Sequence, residues 1–205
     1  MLVNQASQTF YKIDEANQAL KDNPGQIAAL SIRECIGAGY SGNGYSVSES
    51  TRKERDAGLR QLGALMETLS SPFLSRSVKT LDLSYIKLGT LGALQVAGML
   101  MRNTTLEKLV VHGNRLGSAR GIGHDWDRPE GFASGCRILI DAQKSRATPL
   151  NIDFGYPSND CNWLSEGEKE LVDQSRKEEE LAVTVHDDST TLPDDLDKMS
   201  LNDID

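Results

Sequence analysis

Two stretches of the chain nearly repeat each other: Val78-Lys-Thr-Leu81-Asp-Leu83-Ser-Tyr-Ile-Lys-Leu88-Gly89 and Leu106-Glu-Lys-Leu109-Val-Val111-His-Gly-Asn114-Arg-Leu116-Gly117. The second copy follows the first by 28 residues, counted from Leu81 to Leu109. A repeat at a fixed period of this size is typical of proteins in which one supersecondary unit recurs along the chain. Such units bury their apolar faces only against each other, so the pair predicts further copies on both sides.

The same frame extends in both directions along the sequence. Upstream, Ile27-Ala-Ala-Leu30-Ser-Ile32-Arg-Glu-Cys35 fits L-x-x-L-x-L-x-x-N/C, with Cys35 in the place that Asn114 takes in the clear repeat. Downstream, Leu150-Asn-Ile152-Asp-Phe154 is predicted as a fourth strand, with Leu150 aligned to Leu109. The spacings from Leu30 to Leu81 and from Leu109 to Leu150 are longer than 28 residues. The additional residues predict inserted loops near 37–55 and 122–131, each after the strand of its unit. A longer loop at such a connection adds little to the entropy cost of loop closure.

Apolar residues at spacings of three and four predict a helix after each of the first three strands. They are Leu62, Leu65, Met66 and Leu69; Ala93, Val96, Ala97 and Leu100; and Phe132, Cys136 and Leu139. Before the first strand, Phe10, Ile13, Ala16, Asn17 and Leu20 predict a further helix, ending near Asn23-Pro24-Gly25. We interpret it as a half-repeat cap at the N-terminal end of a repeat domain over residues 1–164.

The character of the chain changes at Ser165. Ser165 and Glu168 have the spacing of a capping box, which predicts the start of a C-terminal capping helix over residues 165–180. Residues 181–205 are rich in acidic side chains and poor in core residues, which predicts a disordered acidic tail. Within that tail, the apolar residues Leu192, Leu196, Met199, Leu201 and Ile204 are separated by acidic and polar ones. The segment therefore either folds on binding, with its apolar side in a groove, or serves only for solubility.

The segment Leu81-Asp-Leu-Ser…Leu88-Gly-Thr-Leu-Gly-Ala93-Leu-Gln-Val-Ala97-Gly-Met-Leu100-Met-Arg-Asn103-Thr-Thr-Leu106-Glu-Lys-Leu109 resembles the ribonuclease-inhibitor-like leucine-rich repeats. The resemblance implies an α/β solenoid of about four units, with parallel strands on a concave face and helices on a convex face. Members include ribonuclease inhibitor, Ran GTPase-activating proteins and the actin-binding tropomodulins. The chain departs from the pattern because Ile86 and, by the Leu150 alignment, Gly155 stand where the buried asparagine is expected.

Charge and cysteine content exclude several function classes. The net charge is −8, and residues 165–205 alone hold 14 acidic residues against four Lys and Arg, so the repeat domain is nearly neutral. Without a basic stripe, a nucleic-acid partner is disfavoured. No apolar run approaches the roughly 18 residues of a membrane span, and three widely spaced cysteines predict thiols in a reducing compartment. We therefore expect a cytoplasmic protein, with nuclear or cytoskeletal association as alternatives.

Two motifs with possible chemistry receive plainer interpretations. Gly37-Ala-Gly39-Tyr-Ser-Gly42 matches G-x-G-x-x-G, but no helix is predicted to start at the glycines, so we interpret it as an inserted loop. His124-Asp-Trp126-Asp127 lacks the companion ligands of a metal cage, and we expect Trp126 to lie in an exposed insertion that packs either onto the convex helices or onto a partner. No catalytic residues, cofactor or metal are predicted, and the chain is expected not to be an enzyme.

The predicted binding surface is the concave face of the sheet. Side chains alternate along a strand, so residues between the core leucines point away from the helices. The candidates are Ser31, Arg33, Asp82, Ser84, Val110, His112, Asn151 and Asp153, with Tyr85 as an aromatic anchor beside them. A simple solvated polar face is the alternative.

The sequence thus predicts a non-enzymatic protein-interaction module or subunit of an assembly, without specifying its partner or oligomeric state. A GTPase regulator of the Ran-activator type and a tropomodulin-like cytoskeletal or ciliary protein are the alternatives that the resemblance implies.

Overall fold

The computed structural model describes residues 6–34, 36, 49–117, 133–157 and 164–187, including all their side chains except those of residues 179 and 182–187. Five strands and five helices alternate within these ranges. They are β1 (Ala6–Phe10), α1 (Ile13–Asp22), β2 (Ile27–Ile32), α2 (Glu49–Ser70), β3 (Thr80–Asp82), α3 (Gly89–Leu100), β4 (Lys108–Val110), α4 (Gly135–Lys144), β5 (Asn151–Asp153) and α5 (Glu166–Asp187). No helix in these ranges is both long and apolar enough to cross a lipid bilayer.

The strands form one parallel sheet in chain order, β1-β2-β3-β4-β5, and each helix packs against the next helix along the chain. The core lies between the sheet and the helical layer. It contains the leucines of the two clear repeats, Leu81, Leu83 and Leu109, together with the predicted inner faces of the helices, among them Leu62, Leu65, Val96 and Leu139. This α/β arrangement is consistent with a leucine-rich-repeat-like fold.

The strand register confirms most of the repeat alignment and corrects its end. Leu30, Leu81 and Leu109 pair with one another across β2, β3 and β4, as predicted. The partner of Leu109 on β5, however, is Ile152 and not Leu150, so the fourth alignment is wrong by two residues. Because side chains alternate with a period of two, a slip of two residues keeps the same face buried, and the apolar pattern does not detect it.

The N-terminal unit contains a strand that was not predicted. β1 precedes α1 and pairs with β2, so this end is a strand and a helix rather than a half repeat. Phe10 is the last residue of β1 and does not belong to the helix, which begins at Ile13. The three-residue spacing of Phe10 and Ile13 fits a helix, but Phe10 pairs with Ile32 of β2, and this pairing makes residues 6–10 a strand instead.

Two predicted segment boundaries are also wrong. α2 begins at Glu49, so residues 49–55 are helical and do not belong to the inserted loop. α5 begins at the predicted capping box, where Ser165 N donates to Glu168 Oε2 over 2.7 Å, but it continues to Asp187 into the predicted tail. Residues 37–48, the whole insertion near 122–131 and residues 188–205 lie outside the described residues, as do Cys35, Trp126 and Phe132.

Candidate functional site

One side of the sheet faces the helices, and the other side, which we call the open face, carries the predicted binding residues. Strand pairing places Ser31, Asp82, Val110 and Asp153 in one row across four strands. All four are partly exposed, whereas the alternate residue Leu81 is fully buried. The row arises because each member stands between two buried apolar residues of its segment, as in Leu81-Asp82-Leu83, and successive side chains of a strand point to opposite sides.

The remaining candidates lie on either side of that row. Arg33, Ser84 and His112 each follow two residues after a member of the row, towards the carboxyl ends of the strands. Asn151 pairs with Lys108 one step towards the amino ends, and both are exposed. The described candidates therefore lie on one side of the sheet, but Ser84 is buried, with 6% of its surface exposed, so its side chain is not available to a partner. Trp126 lies outside the described residues.

Asp82 is the centre of a small network between β2 and β3. Its Oδ2 accepts hydrogen bonds from Arg33 Nη2 at 2.8 Å and from Ser31 Oγ at 3.2 Å, and its Oδ1 accepts from Ser84 N at 2.9 Å. Partial burial would raise the pKa of Asp82, but the hydrogen bonds from Arg33 and Ser84 outweigh it, so the net pKa is lowered. The carboxylate is consequently held in its ionised form and in one orientation.

Asp153 has a similar arrangement between β4 and β5. His112 Nε2 lies 2.8 Å from Asp153 Oδ1, close enough for a direct electrostatic contact between the two side chains. Gly155 N donates to the same oxygen at 3.0 Å. Burial raises the pKa of Asp153, and the interactions with His112 and the Gly155 amide lower it further than burial raises it.

Tyr85 projects at the carboxyl end of β3, beside this face, and is 51% exposed. Its backbone adopts φ +61°, and its N–H donates to His112 O at 2.8 Å. The ring lies over Gly113, where any Cβ would overlap ring carbons. The aromatic side chain is thus held in place by the neighbouring turn while most of it stays accessible.

Two ionised carboxylates and an exposed aromatic ring define the chemistry of this face. Both carboxylates have lowered pKa values and are ionised near neutral pH, so neither matches the near-neutral pKa of a general base. Within the described ranges, no three His, Cys, Asp or Glu side chains lie close enough to hold a metal ion. Fixed charges and an exposed aromatic ring are instead the groups that give protein interfaces their specificity.

One residue that positions this surface was not identified from the sequence. Arg55 of α2 is buried, with 7% of its surface exposed, and donates to Ile36 O at 2.9 Å, Lys87 O at 2.5 Å and Leu88 O at 2.8 Å. It therefore connects the loops that follow β2 and β3. Its sequence signal is indirect: Ile86 occupies the asparagine position of the repeat and leaves this connection without its usual side chain.

Comparison with known proteins identifies no family. No protein-family model matches the chain, and no curated protein matches it. Among solved structures, the chain is similar to one described as Leiomodin-1 Actin-Binding Site 2 (ABS2), with 14% sequence identity and a TM-score of 0.39, over 86% of this chain and 96% of that chain. At this TM-score we draw no argument from the similarity.

Proposed function

We propose that this chain is a non-enzymatic protein-interaction module of the leucine-rich-repeat type, which binds a protein partner through the open face. In this proposal the sheet curves so that the open face is concave, as in the family that the sequence resembles. The supporting observation is the row Ser31–Asp82–Val110–Asp153, whose two carboxylates are already oriented by Arg33 and His112.

Preorganisation is the physical reason for this proposal. A flexible surface loses side-chain entropy when it binds, about 0.5–1.5 kcal/mol for each immobilised side chain. On the open face, Asp82 and Asp153 are each held by a backbone amide and a basic side chain, so much of that cost is met on folding. Tyr85, held over Gly113, adds an aromatic ring next to these charges.

The test compares open-face variants with a matched variant on the helical layer. We would use His112→Glu, Tyr85→Ala and Lys108→Glu on the face, and Arg102→Glu on the opposite layer as the control. Proteins captured and crosslinked by the intact chain should be lost with the three face variants and retained with the control. Equal capture by face and control variants would move the binding site elsewhere.

The same variants separate this proposal from its two alternatives. Stimulated GTP hydrolysis that is lost on changing one polar side chain at the rim of the face would favour a GTPase regulator. Co-sedimentation with actin filaments or microtubules would favour a cytoskeletal protein. The present proposal expects neither activity from the purified chain.

A further inference from the structure

β1, the strand that the sequence patterns missed, extends the open face at its N-terminal side. Pairing places Thr9 beside Ser31, so the polar row begins on β1 and crosses every strand of the sheet. Phe10 packs against the core, whereas Ser7 and Thr9 are exposed, as the alternation of side chains along a strand requires. The open face therefore includes residues of β1 that were not among the predicted binding residues.

Tyr11 adds a second aromatic ring to this part of the open face. It follows β1 directly and comes level with Arg33, because Phe10 pairs with Ile32 and Phe10 O accepts from Arg33 N at 2.9 Å. Tyr11 is 74% exposed, more than the 51% of Tyr85. The two tyrosines follow β1 and β3, so two strand spacings, about 10 Å, separate them across the sheet. Arg33 follows the intervening strand β2 and lies between them.

Arg33 has hydrogen-bond donors available between these rings. A guanidinium carries several N–H groups in a planar fork, and Arg33 commits Nη2, which donates to Asp82 Oδ2 at 2.8 Å. This bond fixes one edge of the fork, while 40% of the side chain stays accessible. The carboxylate next in sequence, Glu34, is engaged elsewhere, because its Oε2 accepts from Ile13 N at 2.6 Å. The accessible edge of Arg33 is therefore suited to an acceptor from outside the chain.

Basic groups are the uncompensated charges around Arg33. Asp82 and Asp153 each accept a backbone N–H and contact a basic side chain. Lys87, in the loop after β3, and the exposed Lys108 of β4 have no ion-pair partner in the part of the chain that the structure describes. An anionic group of a partner is therefore attracted by charges that are not already paired within these ranges.

We propose that the partner presents the carboxylate of an Asp or Glu side chain to the accessible edge of Arg33, with apolar side chains on either side of it against Tyr11 and Tyr85. The planar guanidinium matches a carboxylate in geometry, and a fork that is already fixed loses little freedom on binding it. The two rings supply apolar contact area beside the charge. This inference rests on the proposed function of the open face and specifies the chemistry of its occupant, an acidic segment of a protein.

The experiment selects peptides on the purified full chain from a library of random sequences. Each peptide is fused at its carboxyl end to a phage coat protein, so the carboxylates that it presents are side chains. We expect the recovered peptides to contain an acidic residue between apolar ones. Replacing that residue by its amide should weaken binding by about tenfold or more. Arg33→Gln should cause a loss of the same size, and both changes together should weaken binding no further than either alone.

The role of the tyrosines is tested against a matched aromatic residue. Tyr11→Ala should weaken the selected peptides by about fivefold or more. Phe73→Ala is the control, because Phe73 is 61% exposed but lies between α2 and β3, at the amino ends of the strands. Arg102→Gln, on the helical layer, is the corresponding control for Arg33. Both control variants should leave the affinity unchanged.

Different outcomes identify which of the two proposals fails. If His112→Glu and Lys108→Glu weaken the peptides but Arg33→Gln and Tyr11→Ala do not, the open face binds and the inference about its anchor is overturned. Selected peptides without an acidic residue overturn it as well. If no variant of the open face changes the affinity, both this inference and the proposed function are overturned.

Discussion

The loop after β3 is bonded to the loop after β2 on one side and to the loop after β4 on the other; we call these contacts the β2–β3 junction and the β3–β4 junction. Different side chains supply the hydrogen bonds at the two junctions. At the β3–β4 junction, Asn114 Nδ2 donates to Leu83 O at 2.7 Å, and Asn114 Oδ1 accepts from Leu88 N at 3.1 Å. At the β2–β3 junction, where the repeat position is occupied by Ile86, Arg55 donates to carbonyls of both loops. One junction follows the repeat, and the other uses a residue from the helix in between.

The difference shows that both junctions require the pairing of buried backbone groups and that more than one kind of side chain can provide it. A side-chain amide has both a donor and an acceptor, so Asn114 serves one N–H and one carbonyl. A guanidinium only donates, so Arg55 serves carbonyls, and the Ile36 N–H pairs directly with Ile86 O at 2.7 Å. Both solutions leave the buried ends of the loops with hydrogen-bond partners.

The largest expected effect comes from breaking the β2–β3 junction. Arg55→Met removes three charge-assisted hydrogen bonds and leaves buried carbonyls unpaired, so we expect the free energy of unfolding to fall by about 3 kcal/mol or more. Urea unfolding measures this. Arg52→Met, at an exposed position of the same helix, should change it by less than about 0.5 kcal/mol. Equal effects would mean that Arg55 does not support the junction.

Breaking the β3–β4 junction should cost slightly less. Asn114→Ala removes two neutral hydrogen bonds and leaves the Leu88 N–H and Leu83 carbonyl unpaired, for an expected loss of about 2–3 kcal/mol. The control is Asn151→Ala, at an exposed position on β5. If Asn114→Ala proved more costly than Arg55→Met, the ranking of the two junctions would be reversed.

A smaller effect is expected at Gly113, which adjoins the same loop. Gly113→Ala introduces a Cβ at φ +64° that overlaps the Tyr85 ring, so we expect a loss of about 1–2 kcal/mol. In the Tyr85→Ala background the overlap is absent and the loss should shrink, which a double-mutant cycle measures. Gly98→Ala, in open space on α3, should instead stabilise the chain by about 0.5–1 kcal/mol. Additive effects of Gly113→Ala and Tyr85→Ala would exclude the contact.

The smallest effect concerns the open face and appears only in acid. The folded-state pKa of Asp82 is lowered, so its contribution to stability is present above the unfolded-state pKa and is lost as the pH falls through the folded-state value. Asp82→Asn should therefore flatten the dependence of the unfolding midpoint on pH below about pH 4. An exposed residue such as Asp22, changed to Asn, serves as the control. Parallel pH profiles for the intact chain and Asp82→Asn would contradict the assignment.

Local sequence signals identified most of the repeat framework. The 28-residue echo correctly aligned Leu30, Leu81 and Leu109, and the spacing of apolar residues identified the buried sides of the helices. The polar row of the open face followed from the same alternation. Asn103, in the segment that resembles the leucine-rich repeats, donates from Nδ2 to Leu69 O and accepts at Oδ1 from Leu106 N. No role for this side chain was predicted from the sequence.

Long-range contacts explain the parts that sequence patterns missed. β1 is a strand because it pairs with β2, and α1 begins where Glu34 Oε2, after β2, accepts from Ile13 N at 2.6 Å. The residues next to Ile13 in the sequence do not indicate that Glu34, 21 positions later, supplies this N-terminal hydrogen bond. α5 extends past its predicted end, and its last described contacts with α4 are between charged and polar side chains rather than apolar ones.

By itself, the sequence determined the unit, its period and which side of each strand is buried, because these depend on side-chain periodicity along a single segment. Only the tertiary structure decided the register of β5, the strand at β1 and the burial of Arg55. Each of these depends on a partner far along the chain: Leu109 for Ile152, β2 for β1, and the Lys87 and Leu88 carbonyls for Arg55. Periodicity is a local property, whereas the pairing of backbone groups between units is satisfied only when the units meet.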